Sequence, residues 1–298
     1  LGVDLVPFKV CTYDCVYCQL GRTTDKTCER RAYLPTAEVL SELERRLKEP
    51  DRPNYITLAG SGEPTLNADI GAVLKGIKGL TDIPIVVLTN GSLLWMDEVR
   101  EALRGADIVI PSLDAGDTFM FQLVNRPHRT LTFNQVVEGI NAFTREFAGA
   151  VWLEVMLLAG VTGVRDQVKL IAALAKGAGV SKVQLNTVVR PPVKDFARPL
   201  TAAQMSVLAG FFTVPTEIIG AAPTPTAGAG GEASDDRILA LLSRRPCTVA
   251  GLAAGLAIPV NEVLKRLDWL IGHDKVRFVQ NEDERFYEAV RTEESEKT

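Results

Sequence analysis

Apolar residues recur along the first 220 positions in two alternating rhythms. Short runs rich in Val, Ile and Leu at residues 1–6, 55–59, 83–88, 106–112, 151–158 and 181–187 predict strands buried on both faces. Between them the spacing turns helical. Residues 36–48 set Val39, Leu40, Leu43 and Leu47 against Glu38, Glu42 and Glu44, with Thr36 in place to cap the start. Residues 70–77, 97–103, 134–146 and 166–177 follow the same rule. Repeated strand–helix units predict a parallel sheet. About six of them fit either a partial barrel or an open doubly wound sheet, and periodicity does not choose between the two. Residues 213–219 read as one further strand.

The pattern then breaks. Residues 220–234, GAAPTPTAGAGGEAS, have the composition of a flexible linker, with an ordered surface loop as the alternative. Beyond it, residues 235–243, 248–256 and 259–271 predict three short helices, Thr248 capping the second. The third places Val260, Val263, Leu264, Leu267 and Leu270 on one face and stops at Gly272. Residues 275–280 and 285–290 predict a hairpin. Three helices and a hairpin describe a winged helix-turn-helix. The expected organisation is a core over 1–219, a linker over 220–234, the small domain over 235–290 and a charged, disordered tail over 291–298.

Composition narrows the function classes. A hydrophobic fraction of 46% and a charged fraction of 23% fit a soluble protein with a packed core. The formal net charge of −4 argues against a chain-wide grip on nucleic acid. No apolar run approaches the roughly 20 residues of a membrane span. Residues 2–10 lack the charged start and cleavage site of a signal peptide. The chain begins with Leu, so its natural start is expected upstream. An odd set of five cysteines, three of them within eight positions, points to a metal site and a reducing cytoplasm rather than a disulfide framework.

Those three are Cys11, Cys15 and Cys18, a CxxxCxxC run just after the first strand. Three thiolates on one loop suit three irons of a cubane cluster and leave the fourth iron open to a small ligand. The alternative is a structural zinc site. Zinc wants four ligands, usually as paired CxxC knuckles; no second pair exists, and Cys28 is the best fourth candidate. Further polar residues fall at predicted strand ends, where strand–helix folds place their ligands. Gly60-Ser61-Gly62-Glu63-Pro64 follows the second strand, Thr89-Asn90-Gly91 the third and Ser112-Leu113-Asp114 the fourth. Ordinary helix capping is the competing reading for Ser112 and Asp114. Glu154 interrupts the fifth strand, where a carboxylate must be paired or face a cavity. Gln184 and Asn186 alternate with Val183 and Leu185 on the sixth.

This series resembles the radical S-adenosylmethionine (SAM) superfamily over about residues 1–200. The resemblance implies a partial (β/α)6 TIM-like barrel, here with the small winged helix-turn-helix domain appended. It implies a [4Fe-4S] cluster on Cys11, Cys15 and Cys18, with SAM chelating the open iron. Tyr17 is then expected beside the adenine, and Gly60, Gly62 and Glu63 beside the SAM ammonium. Thr89, Asn90, Ser112, Asp114, Glu154 and Asn186 are expected around the ribose, the adenine and the methionine carboxylate. The implied reaction is reductive cleavage of SAM to a 5′-deoxyadenosyl radical that abstracts hydrogen. An electron donor such as flavodoxin or ferredoxin is the implied partner, and oxidoreductase or transferase the implied class.

Residues 112–127 and the Cys18-Gln19-Leu20-Gly21 extension resemble the branch that holds the wyosine-synthesising enzymes of tRNA and many prokaryotic relatives. The wyosine enzymes carry cysteines for a second cluster, whereas only Cys28 and Cys247 remain here, and no Lys matches their substrate lysine. An RNA nucleoside, a peptide and a small metabolite all stay open as substrates, and no catalytic residue is singled out. Arg22, Lys26, Arg30, Arg31, Arg126, Arg129, Arg190 and Lys194 cluster near loop ends, either to grip an anionic group or as solvated surface. A winged helix also fits a transcriptional regulator that senses iron–sulfur status or SAM. Its third helix would reach DNA with Asn261, Lys265 and Arg266, and its wing with Arg277 and Arg285. Residues 235–298 carry ten Lys or Arg against twelve Asp or Glu, a poor footprint for DNA.

Overall fold

The computed structural model describes residues 1–50, 52–219, 234–281 and 284–290. Both the 220–233 stretch of the expected linker and the expected tail at 291–298 lie outside the described residues. The chain divides into two compact units, residues 1–16, 22–187 and 196–219 in the first, residues 17–21, 188–195 and 220–298 in the second.

Unit one opens with β1 (Gly2–Val3), β2 (Val10–Cys11), β3 (Asp25–Lys26), α1 (Thr36–Leu47) and β4 (Ile56–Leu58). A 3-10 turn at Pro64–Leu66 leads to α2 (Ile70–Leu80) and β5 (Ile85–Thr89). Next come α3 (Asp97–Ala102), β6 (Ile108–Pro111), α4 (Thr118–Val124), α5 (Phe133–Glu146) and β7 (Ala150–Leu157). The unit ends with α6 (Arg165–Ala178), β8 (Lys182–Thr187), α7 (Ala202–Ala209) and β9 (Thr216–Ile218). Seven strands pair in parallel in the order β1-β4-β5-β6-β7-β8-β9, so the sheet is open at β1 and β9. The seventh strand is the 213–219 run. This is an α/β fold with a parallel central sheet, one strand larger than the six-unit reading.

The expectation of strands buried on both faces needs correction at β7 and β8. In β7, Val151, Leu153, Val155 and Leu157 are buried while Trp152, Glu154 and Met156 are only partly covered. This period-2 alternation sends one face into the core and leaves the other for polar groups. The register sets Glu154 opposite Gln184 and Met156 opposite Asn186, so the polar residues of β8 share that second face. Helix ends follow local chemistry. Thr132 and Gln135 form a reciprocal capping box on α5, as Thr201 and Gln204 do on α7. Gly179, at φ 72°, ends α6 in the left-handed conformation. Thr36 does not cap α1; Pro35 occupies the cap position and contributes no side-chain bond.

In unit two, α8 (Asp235–Arg244), α9 (Val249–Leu256) and α10 (Val260–Gly272) precede an antiparallel pair, β10 (Val276–Asn281) and β11 (Glu284–Ala289). Ser234 and Thr248 cap α8 and α9 by accepting from Arg237 N and Gly251 N. Ile238, Leu242, Leu252, Leu256, Val263, Leu267, Leu270 and Val276 form the core. Cys247 and Tyr287 exchange backbone hydrogen bonds of 2.9 and 2.8 Å, tying the α8–α9 turn to β11. The five-residue apolar face expected for α10 is narrower than the pattern suggested. Val263, Leu267 and Leu270 are buried, but Val260 and Leu264 remain 44% and 45% exposed.

Candidate active site

The cysteine loop is pinned from both sides. Cys11 ends β2, whose pairing with β3 sets Val10 opposite Asp25 and Cys11 opposite Lys26. Inside the loop, Asp14 Oδ1 accepts from Thr23 N at 2.8 Å and Tyr13 O accepts from Thr23 Oγ1 at 2.6 Å. Outside it, Asp14 N donates to Asn125 O (3.1 Å) and Val16 N to Val124 O (2.9 Å), docking the loop on the end of α4. Two amide side chains address the thiols. Asn90 Nδ2 donates to Cys11 Sγ (3.6 Å) and to Thr12 Oγ1 (2.7 Å). Asn125 Nδ2 donates to Cys15 Sγ (3.7 Å) and to Asp114 Oδ2 (2.7 Å). Hydrogen bonds to sulfur favour the thiolate over the thiol.

The glycine-rich turn is a packing device. Gly60 holds φ at 147°, and an added Cβ would fall 2.3 Å from the Asp4 carboxylate, which accepts from Ser61 N (2.9 Å) and Ser61 Oγ (2.7 Å). At Gly62 a Cβ would lie 1.9 Å from Val10 O. The two turns are laced together, with Lys9 N donating to Ser61 O (2.7 Å) and Glu63 N to Val10 O (3.1 Å). Glu63 is 2% exposed and both its oxygens are used. Oε1 accepts from Thr65 N, Thr65 Oγ1 and Thr89 Oγ1, and Oε2 from Asn90 N at 2.7 Å. Burial still outweighs these bonds and raises the Glu63 pKa above the usual carboxylate value.

Ser112 and Asp114 do not cap a helix; Asp117 caps α4, accepting from Met120 N at 2.8 Å. Asp114 is buried and accepts from Asn125 Nδ2 and, at 2.9 Å, from Met156 N. Glu154 is partly buried and accepts from Asn186 Nδ2 (2.6 Å) and Ser112 Oγ (3.2 Å). Its pKa is raised by burial first and by the Asp114 charge second. Thr89, Asn90, Ser112, Asp114, Glu154 and Asn186 are therefore joined to Glu63, Cys11 and Cys15 by short chains of side-chain contacts. Tyr17, Cys18 and the rest of residues 17–21 belong to the second unit. Participants that escaped the sequence reading include Asp4, Thr12, Tyr13, Thr65 and Asn125. Only Asn125 had a signal, as part of the 112–127 run.

Cys28 accepts from Thr130 Oγ1 (3.7 Å), and burial raises its thiol pKa. Among the described residues no three Cys, His, Asp or Glu side chains converge closely enough for a single metal ion. A four-iron cube keeps its irons at separate corners, so its thiolates stand wider apart than the ligands of one zinc. The site also fits a cationic cofactor. Among the described residues neither Glu63 nor Glu154 has a Lys or Arg partner, and SAM carries a sulfonium and an ammonium. The Tyr13 hydroxyl, buried beside Cys15, Glu63, Asp114 and Cys11, meets no hydrogen-bond partner. A buried donor left in that condition is the mark of a site shaped for a bound group.

The surrounding basic residues separate into two kinds. Arg22, Arg30 and Arg31 pair with Asp14, Glu98 and Asp25, and Lys26 Nζ donates to the carbonyls of Arg126 and Pro127. Arg190 meets no carboxylate among the described residues; its Nη1 donates to Gln19 Oε1 at 2.8 Å. No helix among the described residues is long and apolar enough to cross a membrane.

Comparison with known proteins agrees with this geometry. Residues 5–169 match the family model described as the Radical SAM superfamily. A UPF0026 protein of Helicobacter pylori is 33% identical over 281 residues, covering 93% of this chain and 89% of the relative. A Brachyspira hyodysenteriae protein named GTPase Obg is 35% identical over 280 residues, covering 93% of this chain; the chain spans 41% of that protein's length. Among solved structures, a radical SAM methyltransferase from Sphaerobacter thermophilus superposes with a TM-score of 0.60 at 18% identity. That match covers 73% of this chain and 64% of the other, and it speaks for the fold alone. With the family model spanning more than half its length, the chain belongs to the radical SAM superfamily, whose members use a [4Fe-4S] cluster and SAM.

Proposed function

We propose that the chain is an enzyme that cleaves SAM reductively, with Cys11, Cys15 and Cys18 as the protein ligands of its cluster. The observation that carries this reading is the pair of amide donors, Asn90 and Asn125, set on the sulfurs of Cys11 and Cys15 beside the buried carboxylates. A [4Fe-4S] cluster held by Cys11, Cys15 and Cys18 would supply the one electron needed to cleave SAM reductively. The chain's own residues prepare that event. Asn90 and Asn125 stabilise thiolate charge. Asp114 and Glu154 offer negative charge to the cationic ligand, and Asn186 and Ser112 hold Glu154 in position. Glu63 fixes the turn that follows β4 to the end of β5.

The resemblance to the wyosine branch extends the reading to a nucleoside substrate, and a one-electron carrier such as flavodoxin or ferredoxin would reduce the cluster. We assign the three helices and hairpin of unit two to a winged helix-turn-helix that docks a partner or substrate rather than reading DNA. Arg266 and Arg277, two of the five residues expected to reach DNA, are engaged with Asp235 (2.7 Å) and Glu288 (2.6 Å). The GTPase name of the Brachyspira relative does not transfer, since the sequence contains no G-x-x-x-x-G-K-[S/T] run. The direct test of the ligand assignment is anaerobic reconstitution with iron and sulfide. The wild type is expected to take up four irons per chain, with an electron paramagnetic resonance signal of the reduced cluster that changes on adding SAM. Single Ala variants at Cys11, Cys15 and Cys18 should lose it. Retention of a SAM-sensitive signal by any of the three would contradict the assignment.

A further inference from the structure

Two loops bring cations onto the segment between the first two motif cysteines. Residues 22–31 reach it through β3, which sets Lys26 opposite Cys11. Residues 125–130 reach it from the end of α4, with His128 N donating to Thr12 O at 2.8 Å. The loops meet at Arg126, whose φ of 47° lies outside the range most residues adopt. Its carbonyl accepts from Asp14 N at 3.2 Å and from Lys26 Nζ at 3.2 Å, and Lys26 Nζ also donates to Pro127 O at 3.3 Å. Arg22 approaches Asp14 Oδ2 only to 3.9 Å, and its side chain is 78% exposed. Arg30 and Arg31 are paired with Glu98 and Asp25, whereas Lys26, Arg126 and Arg129 meet no carboxylate among the described residues. The two loops carry six Lys or Arg against two acids, Asp25 and Glu29, so positive charge is left over beside the motif.

We propose that Arg22, Lys26, Arg126 and Arg129 form the docking surface for an acidic one-electron carrier protein. The inference rests on the reductive function proposed above, which needs one electron from outside the chain. Exposure selects a protein over a small anion. A single exposed ion pair contributes little, whereas an acidic protein face meets several of these cations at once and is steered to them from a distance. Such a surface sets the rate and orientation of encounter more than its strength, which suits a transient carrier. Position selects an electron donor among acidic proteins. Asp14, bound through its N–H to the Arg126 carbonyl, directly precedes Cys15, and Lys26 stands opposite Cys11. A protein seated on these cations therefore lies against the backbone that carries two of the three cluster ligands. One electron passes from the carrier, which is oxidised, to the cluster, which is reduced, and no proton or bond is exchanged.

The test follows reduction of the reconstituted cluster in the full chain by its visible absorbance. Reduced flavodoxin is the carrier probe, and photoreduced 5-deazariboflavin, small and uncharged, is the comparison. Reduction by flavodoxin is expected to slow several-fold as ionic strength rises from about 0.01 M to about 0.15 M. Arg22→Glu and Arg129→Glu, both at exposed positions, should each be reduced several-fold more slowly by flavodoxin at low salt and show a flatter salt dependence. Their reduction by deazariboflavin should match the wild type, which also shows the cluster site intact. Unchanged flavodoxin rates in both variants, a wild-type rate indifferent to salt, or equal slowing with both reductants would overturn the surface. So would a transfer RNA bound by the wild type and lost by both variants while their flavodoxin rates hold, which gives the cations to nucleic acid. Formation of 5′-deoxyadenosine with deazariboflavin and SAM is scored separately. Charge-dependent reduction without that product keeps the surface and removes the SAM chemistry, whereas product with charge-independent reduction sinks the surface alone.

Discussion

Among the site's side chains, two stand out for bonding that is incomplete or charge that is unbalanced. Tyr13 is the sharpest case: its ring packs edge-on against Phe121 at 5.4 Å while its buried hydroxyl meets no partner. An unsatisfied buried donor costs about 1–3 kcal/mol. Tyr13→Phe is therefore expected to raise the melting temperature of the cofactor-free protein in thermal unfolding, and a clear fall would mean the hydroxyl is satisfied. Glu154 gives a pH signature. Its folded pKa lies above the ordinary 4.5, so its contribution to stability is complete below that value and is lost as pH rises through the folded one. A cationic ligand prefers the ionised form. SAM affinity of the reconstituted protein should rise with pH above 4.5 as Glu154 ionises, and Glu154→Gln should flatten the curve; isothermal titration at several pH values decides it. The motif cysteines, Glu63, Asn90 and Glu154 were legible in the sequence because each stands at a strand end or breaks an apolar run. Asp4, Tyr13 and Asn125 were not, because their roles come from contacts between loops distant in sequence, which no local pattern encodes.

Elements place those side chains through close backbone packing. Gly62 lets the turn after β4 lie on the Val10 carbonyl, where any side chain would collide. Gly62→Ala should cost several kcal/mol in chemical denaturation, on the order of 3, because backbone rather than a flexible side chain must move. Gly79, in α2 with open space around its Cβ position, provides the contrast. Gly79→Ala should stabilise by up to about 1 kcal/mol. Equal effects at the two positions would remove the packing argument. The long strands and helices were readable from periodicity, since four or more alternating or helically spaced apolar residues leave few alternatives. The two-residue strands β2 and β3 and the short helices α4 and α7 were not. Too few residues carry a period there, and tertiary contacts define them. The open face of β7 was visible in retrospect only through Glu154, whose polarity marks a strand with two unlike sides.

At the scale of the whole molecule, the buried carboxylates and the helix–hairpin domain fall in different units. Unit one carries the buried carboxylates and two motif cysteines, and unit two carries the third cysteine and the helix–hairpin domain. With Arg266 and Arg277 paired to acids, that domain is expected to leave duplex DNA unretarded in a gel-shift assay at physiological salt. A salt-sensitive complex would instead favour a regulator. The central claim is radical chemistry at the cysteine loop. Its most direct measurement is 5′-deoxyadenosine formation after anaerobic reconstitution and reduction with dithionite in the presence of SAM, beside a Cys15→Ala control. Product from the wild type and none above background from the variant is the predicted result; a reconstituted wild type that makes no more than the variant would contradict it.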